Sequence, residues 1–135
     1  MLPIKSIMST DVISATPDMP IYEAMELLIK NKISGLPVVD GDLRVVGILS
    51  EKDVLRILLD GKLHVDHCVK DYMTLNPICF TEMDSAIDVC KFFINSHIRR
   101  VPILRDGKLA GVVARKDIVS LIAEARGKLD NIRYV

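Results

Sequence analysis

The chain has 135 residues, half of them hydrophobic, with 18 basic and 18 acidic side chains and 4% aromatic residues. The balanced charge and scarce aromatics argue against a nucleic-acid partner and against binding to an anionic membrane surface. No apolar run approaches the ~18 residues of a membrane span, and the three cysteines have neither metal nor disulfide spacing, so we expect a cytoplasmic protein without a signal peptide.

The first part of the chain predicts a strand, a helix and a hairpin in that order. Ile13 and its neighbours form a short apolar run typical of a strand, and Pro20 suits the first turn of a helix. Two β-branched runs, 36–39 and 45–49, flank Asp40-Gly41, which is a strong hairpin signal. The apolar face of the predicted helix consists of Ile21, Ala24, Met25 and Leu28.

A second helix follows the hairpin. Ser50 is its predicted N-cap, and Asp53 occupies the third helical position, an arrangement close to a capping box. Apolar residues over 54–59 continue this helix to Asp60-Gly61. The following residues, 63–68, are predicted to be a connection.

The second half of the chain repeats the first. Its segments IRRVPIL (98–104) and LAGVVARKD (109–117) match ISGLPVV (33–39) and VVGILSEKD (45–53) in apolar positions, proline, glycine and final aspartate. Only the turn between them changes in length, by one residue. Such a recurrence indicates a duplicated unit with the order strand, helix, strand, strand, helix in each copy.

The second copy differs from the first at its helices. Asp84-Ser85 are the predicted caps of its first helix, and its last helix is predicted from Arg115 to about Ala125. That last helix lacks a side-chain N-cap, because Ala114 stands where Ser50 stood. Residues 126–135 are mostly polar and predict a loose C-terminal tail. The apolar stripe of the first of these helices consists of Ala86, Val89, Cys90 and Phe93.

With the two copies aligned to each other, these motifs resemble a tandem pair of CBS domains over residues 2–125. The resemblance implies an α/β (α+β) fold of two β-α-β-β-α repeats packed sheet to sheet with pseudo-twofold symmetry. We divide the chain into a first repeat (1–62), a connection (63–68), a second repeat (69–125) and a tail (126–135). The resemblance also implies a homodimer with two clefts between the repeats, which regulates a protein partner and is not an enzyme.

In that family the clefts hold adenosine ligands such as AMP, ADP, ATP or S-adenosylmethionine. The resemblance places Asp53 and Asp117 at the acidic position that accepts the ribose hydroxyls. Ser50 falls on the family's hydroxyl position, beside a helix N-terminus that favours phosphate. The first site then consists of Ile33, Ser34, Gly35, Ser50 and Asp53, and the second of Ile98, Arg99, Arg100, Arg115, Lys116 and Asp117. Because only the second contains cations, we expect it to prefer phosphorylated ligands and the first to prefer neutral ones.

Each of these assignments has a structural alternative. Asp53, Asp117 and Ser50 could be helix caps alone, worth ~1 kcal/mol each, and Arg99 and Arg100 could be solvated surface charge. The protein would then be a structural or dimerisation module with empty or degenerate clefts.

Other chemistry has weaker support in the sequence. The polar residues near the connection match no standard zinc spacing, and no phosphate loop or nucleophile motif appears. We therefore expect no metal site and no catalytic residue. The residues near the connection are Asp60, His64, Asp66, His67 and Cys68.

Overall fold

The structure is a computed structural model that describes residues 3–133, with side chains described up to Gly127. It is a mixed α/β fold with four helices, two small sheets and two short 3-10 turns over Ile4–Ser6 and Val69–Asp71. The helices are α1 (Ile21–Asn31), α2 (Glu51–Leu59), α3 (Ala86–Ile94) and α4 (Arg115–Arg133). The strands are β1 (Gly35–Val39), β2 (Val45–Ser50), β3 (Thr74–Leu75), β4 (Phe80–Thr81), β5 (Arg100–Arg105) and β6 (Lys108–Ala114).

Both predicted hairpins are confirmed, as β1–β2 and β5–β6. The second closes on Asp106 and Gly107, whose φ angles of 53° and 77° are the left-handed pair that a two-residue hairpin turn requires. The first turn is one residue longer and places Leu43 at φ 63° instead of Gly41. The Asp40 carboxylate stabilises that turn by accepting hydrogen bonds from two backbone N–H groups within it.

Each sheet is completed by a short segment that precedes the other copy of the repeat motif. In one sheet, β3 pairs antiparallel with β2 through Gly47↔Leu75 and Ile48↔Thr74. In the other, Ser9 and Val112 exchange two backbone hydrogen bonds of 2.9 Å. Ser9 and Thr74 are equivalent positions in the repeat, so the same edge pairing occurs in both sheets.

Two glycines allow these edge segments to approach the hairpins closely. A Cβ on Gly47 would lie 2.9 Å from both the Thr74 carbonyl oxygen and the Met73 sulfur. A Cβ on Gly111 would lie 2.9 Å from the Ser9 carbonyl oxygen and 2.7 Å from the sulfur of Met8. The repeated glycine of the motif is therefore needed for backbone proximity.

The chain forms two compact units. Each unit includes the short edge segment that precedes the other copy of the repeat motif; we call these two the exchanged segments. The first-repeat unit consists of residues 11–78 together with the turn 106–109. The second-repeat unit consists of residues 79–105, the described residues up to Thr10 and those from Ala110 onward. The predicted repeat boundaries stay a prediction, because these units group residues by their contacts and not by the repeated sequence.

The strand predicted around Ile13 is wrong. Residues 11–14 form no strand, and only Ala15 makes a parallel bridge, to Val38 of β1. The equivalent position in the second copy is β4, which has two residues and runs parallel to β5. Pro17 stands two residues after the bridge, and proline lacks the N–H that would donate the next hydrogen bond of the pairing.

Most of the helices begin where the sequence predicts. Ser50 caps α2 with Asp53 in a capping box, and the Ser85 hydroxyl accepts a hydrogen bond from the backbone N–H of Ile87 at the start of α3. Pro20 is the residue before α1 and not within its first turn. The predicted loose tail is wrong over 126–133, since α4 continues to Arg133, and residues 134–135 lie outside the described part. This segment has no proline to stop a helix, and Gly127 alone lowers its helix propensity appreciably.

Each unit has its own hydrophobic core, built from the predicted helix stripes and the hairpins. The segments around the two 3-10 turns also supply core residues. Ile4 is completely buried in the core of the second-repeat unit, and Val69 and Tyr72 are buried in the core of the first-repeat unit. The core of the first-repeat unit comprises Ala15, Ile21, Ala24, Leu28, Leu36, Val38, Leu49, Ile57, Val69 and Tyr72. That of the second comprises Ile4, Ala86, Val89, Phe93, Val101, Ile103, Val113 and Ile118.

Candidate functional site

The first site lies where β2 ends and α2 begins. The Ser50 hydroxyl accepts a hydrogen bond from the backbone N–H of Asp53 (3.2 Å), and the Asp53 carboxylate accepts one from the N–H of Ser50 (2.9 Å). These reciprocal bonds fix the carboxylate beside the first turn of the helix. The predicted pair of Ser50 and Asp53 is therefore in direct contact.

The strand before this hairpin brings two more predicted residues to the same place. The carbonyl of Ser34 accepts a hydrogen bond from the N–H of Glu51 at the start of α2 (2.9 Å). Gly35 pairs directly with Ser50 in the β1–β2 register. Ile33 is half-buried and packs against the core of the unit, so its role in packing is established whether or not it contacts a ligand.

The Asp53 carboxylate has a further partner that the sequence did not suggest. Its Oδ1 accepts a hydrogen bond from the hydroxyl of Thr74 (3.1 Å), and its Oδ2 accepts one from the hydroxyl of Ser50 (2.9 Å). Asp53 is 7% exposed and is the one charged residue in the buried class among the described residues. The signal that could have pointed to Thr74 is the hydroxyl repeated at Ser9 and Thr74, directly after the matched methionines Met8 and Met73.

The second site has the same backbone frame. The carbonyl of Arg99 accepts a hydrogen bond from the N–H of Arg115 (3.0 Å), as Ser34 accepts from Glu51. The Asp117 carboxylate accepts one from the N–H of Ala114 (2.7 Å), which is half of the capping box in the first site. Asp117 is half-buried, and within the described residues this is the one hydrogen bond to its carboxylate. More of its acceptor capacity therefore remains free.

The four cations predicted for the second site have different surroundings. Arg115 donates its guanidinium N–H groups to the carbonyls of Phe93 (3.3 Å) in the last turn of α3 and of Ser96 (2.7 Å) and Ile98 (3.1 Å) beyond it. These bonds hold the segment before β5 in place, so the side chain of Arg115 is engaged in the fold. The remaining three cations, Arg99, Arg100 and Lys116, form no ion pair with any residue whose side chain the structure describes. Arg99 and Lys116 are exposed, and Arg100 is half-buried.

Ile98, the remaining predicted residue, is 43% exposed and contributes its carbonyl to the bond with Arg115. Local hydrogen bonds around a strand end and a helix start therefore join most of the predicted residues of each site, but none joins the side chains of Arg100 and Lys116 to the rest of the second site within the described part of the chain. What the two sites offer chemically is different. The first has a carboxylate that accepts from two hydroxyls, and the second has a more open carboxylate, with three predicted cations that form no ion pair among the described side chains.

The resolved pKa shifts lie outside both sites. A hydrogen bond from Arg105 lowers the pKa of Glu82, and these residues form a two-pronged contact of 2.7–2.9 Å in the second-repeat unit. A hydrogen bond from the backbone N–H of Cys68 lowers the pKa of Asp71. Partial burial raises the pKa of the Cys79 thiol. A raised thiol pKa disfavours the reactive thiolate form.

A pocket of about 330 Å³ lies beside the connection between the repeats, lined mainly by polar residues. His67 lies 3.5 Å from Asp71 through its Nδ1, and its ring meets Tyr72 edge to face at 5.3 Å between centroids. Among the side chains that the structure describes, no three His, Cys, Asp or Glu residues converge to hold a metal ion. The other residues lining this pocket are Arg56, Asp60 and Lys62.

None of the helices within 3–133 has the length and apolar character to cross a bilayer. The family model described as "CBS domain" matches two segments of the chain, residues 4–60 and 69–124.

Two curated relatives match part of their own length. An uncharacterized protein of Methanocaldococcus jannaschii, MJ1225, is 29% identical over 120 residues, which covers 89% of this chain and 42% of that protein. Inosine-5'-monophosphate dehydrogenase of Staphylococcus aureus is 33% identical over 110 residues, or 79% of this chain and 22% of the enzyme. The chain thus spans less than half the length of these relatives.

Solved structures match over nearly their full length. CBSX2 of Arabidopsis thaliana, solved in complex with AMP, has a TM-score of 0.83 and 26% identity, covering 93% of this chain and 99% of that one. The CBS domain pair of protein MJ0100, solved with 5'-methylthioadenosine and S-adenosyl-L-methionine, has a TM-score of 0.79 and 29% identity, covering 93% and 98%. The chain is therefore similar in sequence and in fold to CBS pairs solved with adenosine-containing ligands.

Proposed function

This chain belongs to the CBS-domain family, and from that membership we propose that it is a regulatory module that binds adenosine nucleotides and signals their occupancy to a protein partner. AMP, ADP, ATP and S-adenosylmethionine are the ligands we propose. The observation that carries the proposal is the open carboxylate of Asp117 at the start of α4, with unpaired Arg99 and Lys116 in the same site. The proposal assigns no catalytic step to the chain.

Ribose recognition is the role that we propose for the two aspartates. A carboxylate can accept hydrogen bonds from two neighbouring hydroxyls, and bonds to a charged acceptor are about twice as strong as neutral ones. Both carboxylates are fixed beside a helix start by bonds to the backbone N–H of Ser50 or Ala114. A carboxylate already oriented by the fold loses little conformational entropy when it binds a diol.

Phosphate recognition is the role that we propose for Arg99, Arg100 and Lys116. They have no carboxylate partner within the described part of the chain, so binding a phosphate would break no existing ion pair. Arg115 supports the site indirectly, because its guanidinium fixes the backbone that precedes Arg99. The first site has Ser34 and Gly35 where the second has Arg99 and Arg100. Lys52 is the equivalent of Lys116, so the first site has fewer cations, which favours a ligand with less negative charge there.

We also propose that the protein forms a homodimer. Large apolar side chains remain exposed on all four helices, and a second copy of the chain would cover them. A groove of about 620 Å³ between α3 and α4 lies among the exposed side chains of the second-repeat unit. The most exposed of these side chains are Ile29 on α1, Leu55, Leu58 and Leu59 on α2, Ile94 on α3, and Val119 and Ile122 on α4.

The alternative function is a structural dimerisation module with unoccupied sites. The observation that favours it is Asp53, whose carboxylate is already bonded to Ser50 and Thr74 of its own chain. On this hypothesis the hydrogen bonds that the two sites share serve helix capping alone.

Ligand-dependent stabilisation separates the two functions. The thermal unfolding midpoint is measured with AMP, ADP, ATP, S-adenosylmethionine, NADH and adenosine, each at millimolar concentration. A ligand at ~100 times its dissociation constant stabilises the folded state by ~2.7 kcal/mol, which raises the midpoint on the order of 10 °C for a domain of this size. If none of the six ligands moves the midpoint, the dimerisation module is the better description.

A further inference from the structure

The two aspartates differ in how much of their hydrogen-bonding capacity the chain itself uses. An ionised carboxylate offers about four acceptor positions. Asp53 accepts three hydrogen bonds, from the N–H and hydroxyl of Ser50 and from the hydroxyl of Thr74, and it is 7% exposed. Asp117 accepts one, from Ala114, and is half-buried.

A ribose diol donates two hydrogen bonds, so Asp53 cannot accept both without giving up an existing partner. The backbone bond from Ser50 belongs to the capping box of α2 and is local in sequence. The Thr74 bond spans 21 residues and comes from β3, a strand of two residues held by two register pairs. Thr74 is therefore the partner that a ligand would displace at the least structural cost.

The position of Thr74 depends on the close approach of β3 to β2. Gly47 permits that approach, since any side chain there would meet the backbone of Thr74. The equivalent glycine, Gly111, brings Ser9 to the other sheet in the same way. Ser9, however, forms no hydrogen bond with Asp117 within the described residues. The same edge pairing thus closes one carboxylate and leaves the other open.

We infer that Thr74 is an internal competitor for the first site. Its hydroxyl occupies Asp53 in the absence of ligand, so that even an uncharged nucleoside, the kind of ligand that the first site should prefer, fills the second site first and enters the first only by displacing this bond. The inference rests on the proposed function and adds an order of filling to it. Thr74 contributes no binding energy to the ligand in this arrangement; its hydroxyl opposes binding.

The test isolates the first site. Adenosine binding is measured by calorimetry on Asp117→Asn, which removes the carboxylate of the second site but retains an oxygen that can accept from Ala114. In that background Thr74→Val keeps the shape of the side chain and removes its hydroxyl. We expect it to tighten adenosine binding ~10-fold, the equivalent of one hydrogen bond to a charged group.

Two matched variants control for changes in the strand edge. Thr74→Ser retains the hydroxyl and is expected to leave the affinity of the first site unchanged. Ser9→Ala alters the equivalent edge position in the other sheet and is expected to have no effect on the first site either. Circular dichroism of each variant establishes that the fold is retained.

The outcomes separate this inference from the proposed function. If wild-type protein binds adenosine but Thr74→Val weakens the first site or leaves it unchanged, Thr74 is a ligand contact or a bystander and the inference is wrong. If wild-type protein binds none of the adenosine ligands at millimolar concentration, the proposed function fails and the inference fails with it.

Discussion

At the scale of single residues, the four basic side chains of the second site illustrate how neighbours in sequence acquire different roles. Arg115 donates to three backbone carbonyls, whereas Arg99 and Lys116 extend from the surface without an ion pair among the described residues. The difference follows from position, because Arg115 is the first residue of α4 and lies beside the segment that leads into β5. Charge in a motif therefore does not by itself identify a ligand contact.

We predict that Arg99→Ala weakens AMP binding and leaves adenosine binding nearly unchanged. A charge-assisted bond to phosphate contributes ~1.5–3 kcal/mol, a loss of at least ~10-fold in affinity. Calorimetry with the two ligands measures the difference. Arg44→Ala, which removes an exposed arginine from the first-repeat unit, is the matched control. An equal loss for adenosine would show that Arg99 is not a phosphate ligand.

The aspartates should behave differently from the arginine. We predict that Asp117→Ala weakens AMP and adenosine alike, because both ligands carry the same ribose diol. Asp53→Ala is expected to affect only the first site, and a titration that resolves the two sites is the measurement. A loss confined to AMP in Asp117→Ala would contradict the assignment of ribose recognition.

At the scale of secondary-structure elements, the exchanged edge segments depend on two glycines. We predict that Gly47→Ala and Gly111→Ala each destabilise the protein by ~1–3 kcal/mol, the usual cost of overpacking, because the new Cβ would lie 2.9 Å from a backbone oxygen. Urea unfolding measures the change. Gly127→Ala is the control: nothing lies within 4 Å of its Cβ, and within a helix this change should stabilise by roughly 0.5–1 kcal/mol.

The elements that the sequence predicted correctly are those determined by nearby residues. The hairpins and the Ser50–Asp53 capping box each depend on residues within one turn, and periodicity located the buried faces of α1 and α3. Two-residue strands such as β3 and β4 are too short to show a period, and their pairing depends on distant backbone. The bond between Thr74 and Asp53 and the anchoring of Arg115 escaped prediction for the same reason, since their partners lie 17–22 residues away.

At the scale of the whole molecule, all four described helices carry large apolar side chains that are exposed in the single chain. Exposed apolar surface of this kind marks protein–protein contact sites. We predict a homodimer in sedimentation equilibrium. Leu58→Glu together with Leu59→Glu is expected to shift it toward monomer, because both side chains are among the most exposed on α2 and would place charge in the interface.

A control for that experiment is Met83→Glu, which changes an exposed apolar residue in the turn between β4 and α3, outside the helices themselves. It is expected to leave the association unchanged. Wild-type protein that sediments as a monomer both with and without AMP would contradict the prediction.

The early segment that completes the second-repeat unit also constrains how the chain can fold as it leaves the ribosome. Residues 3–9 emerge well before their backbone partners at Ser85 and Val112. Ile4, which is completely buried in the finished unit, must stay exposed until then. During synthesis from the N-terminus, the core of the second-repeat unit cannot form until these partners have been made. Contacts between residues so far apart in sequence also form slowly. The synthesis of the strand that contains Val112, and not that of residues 3–9, therefore sets the moment at which this core can close.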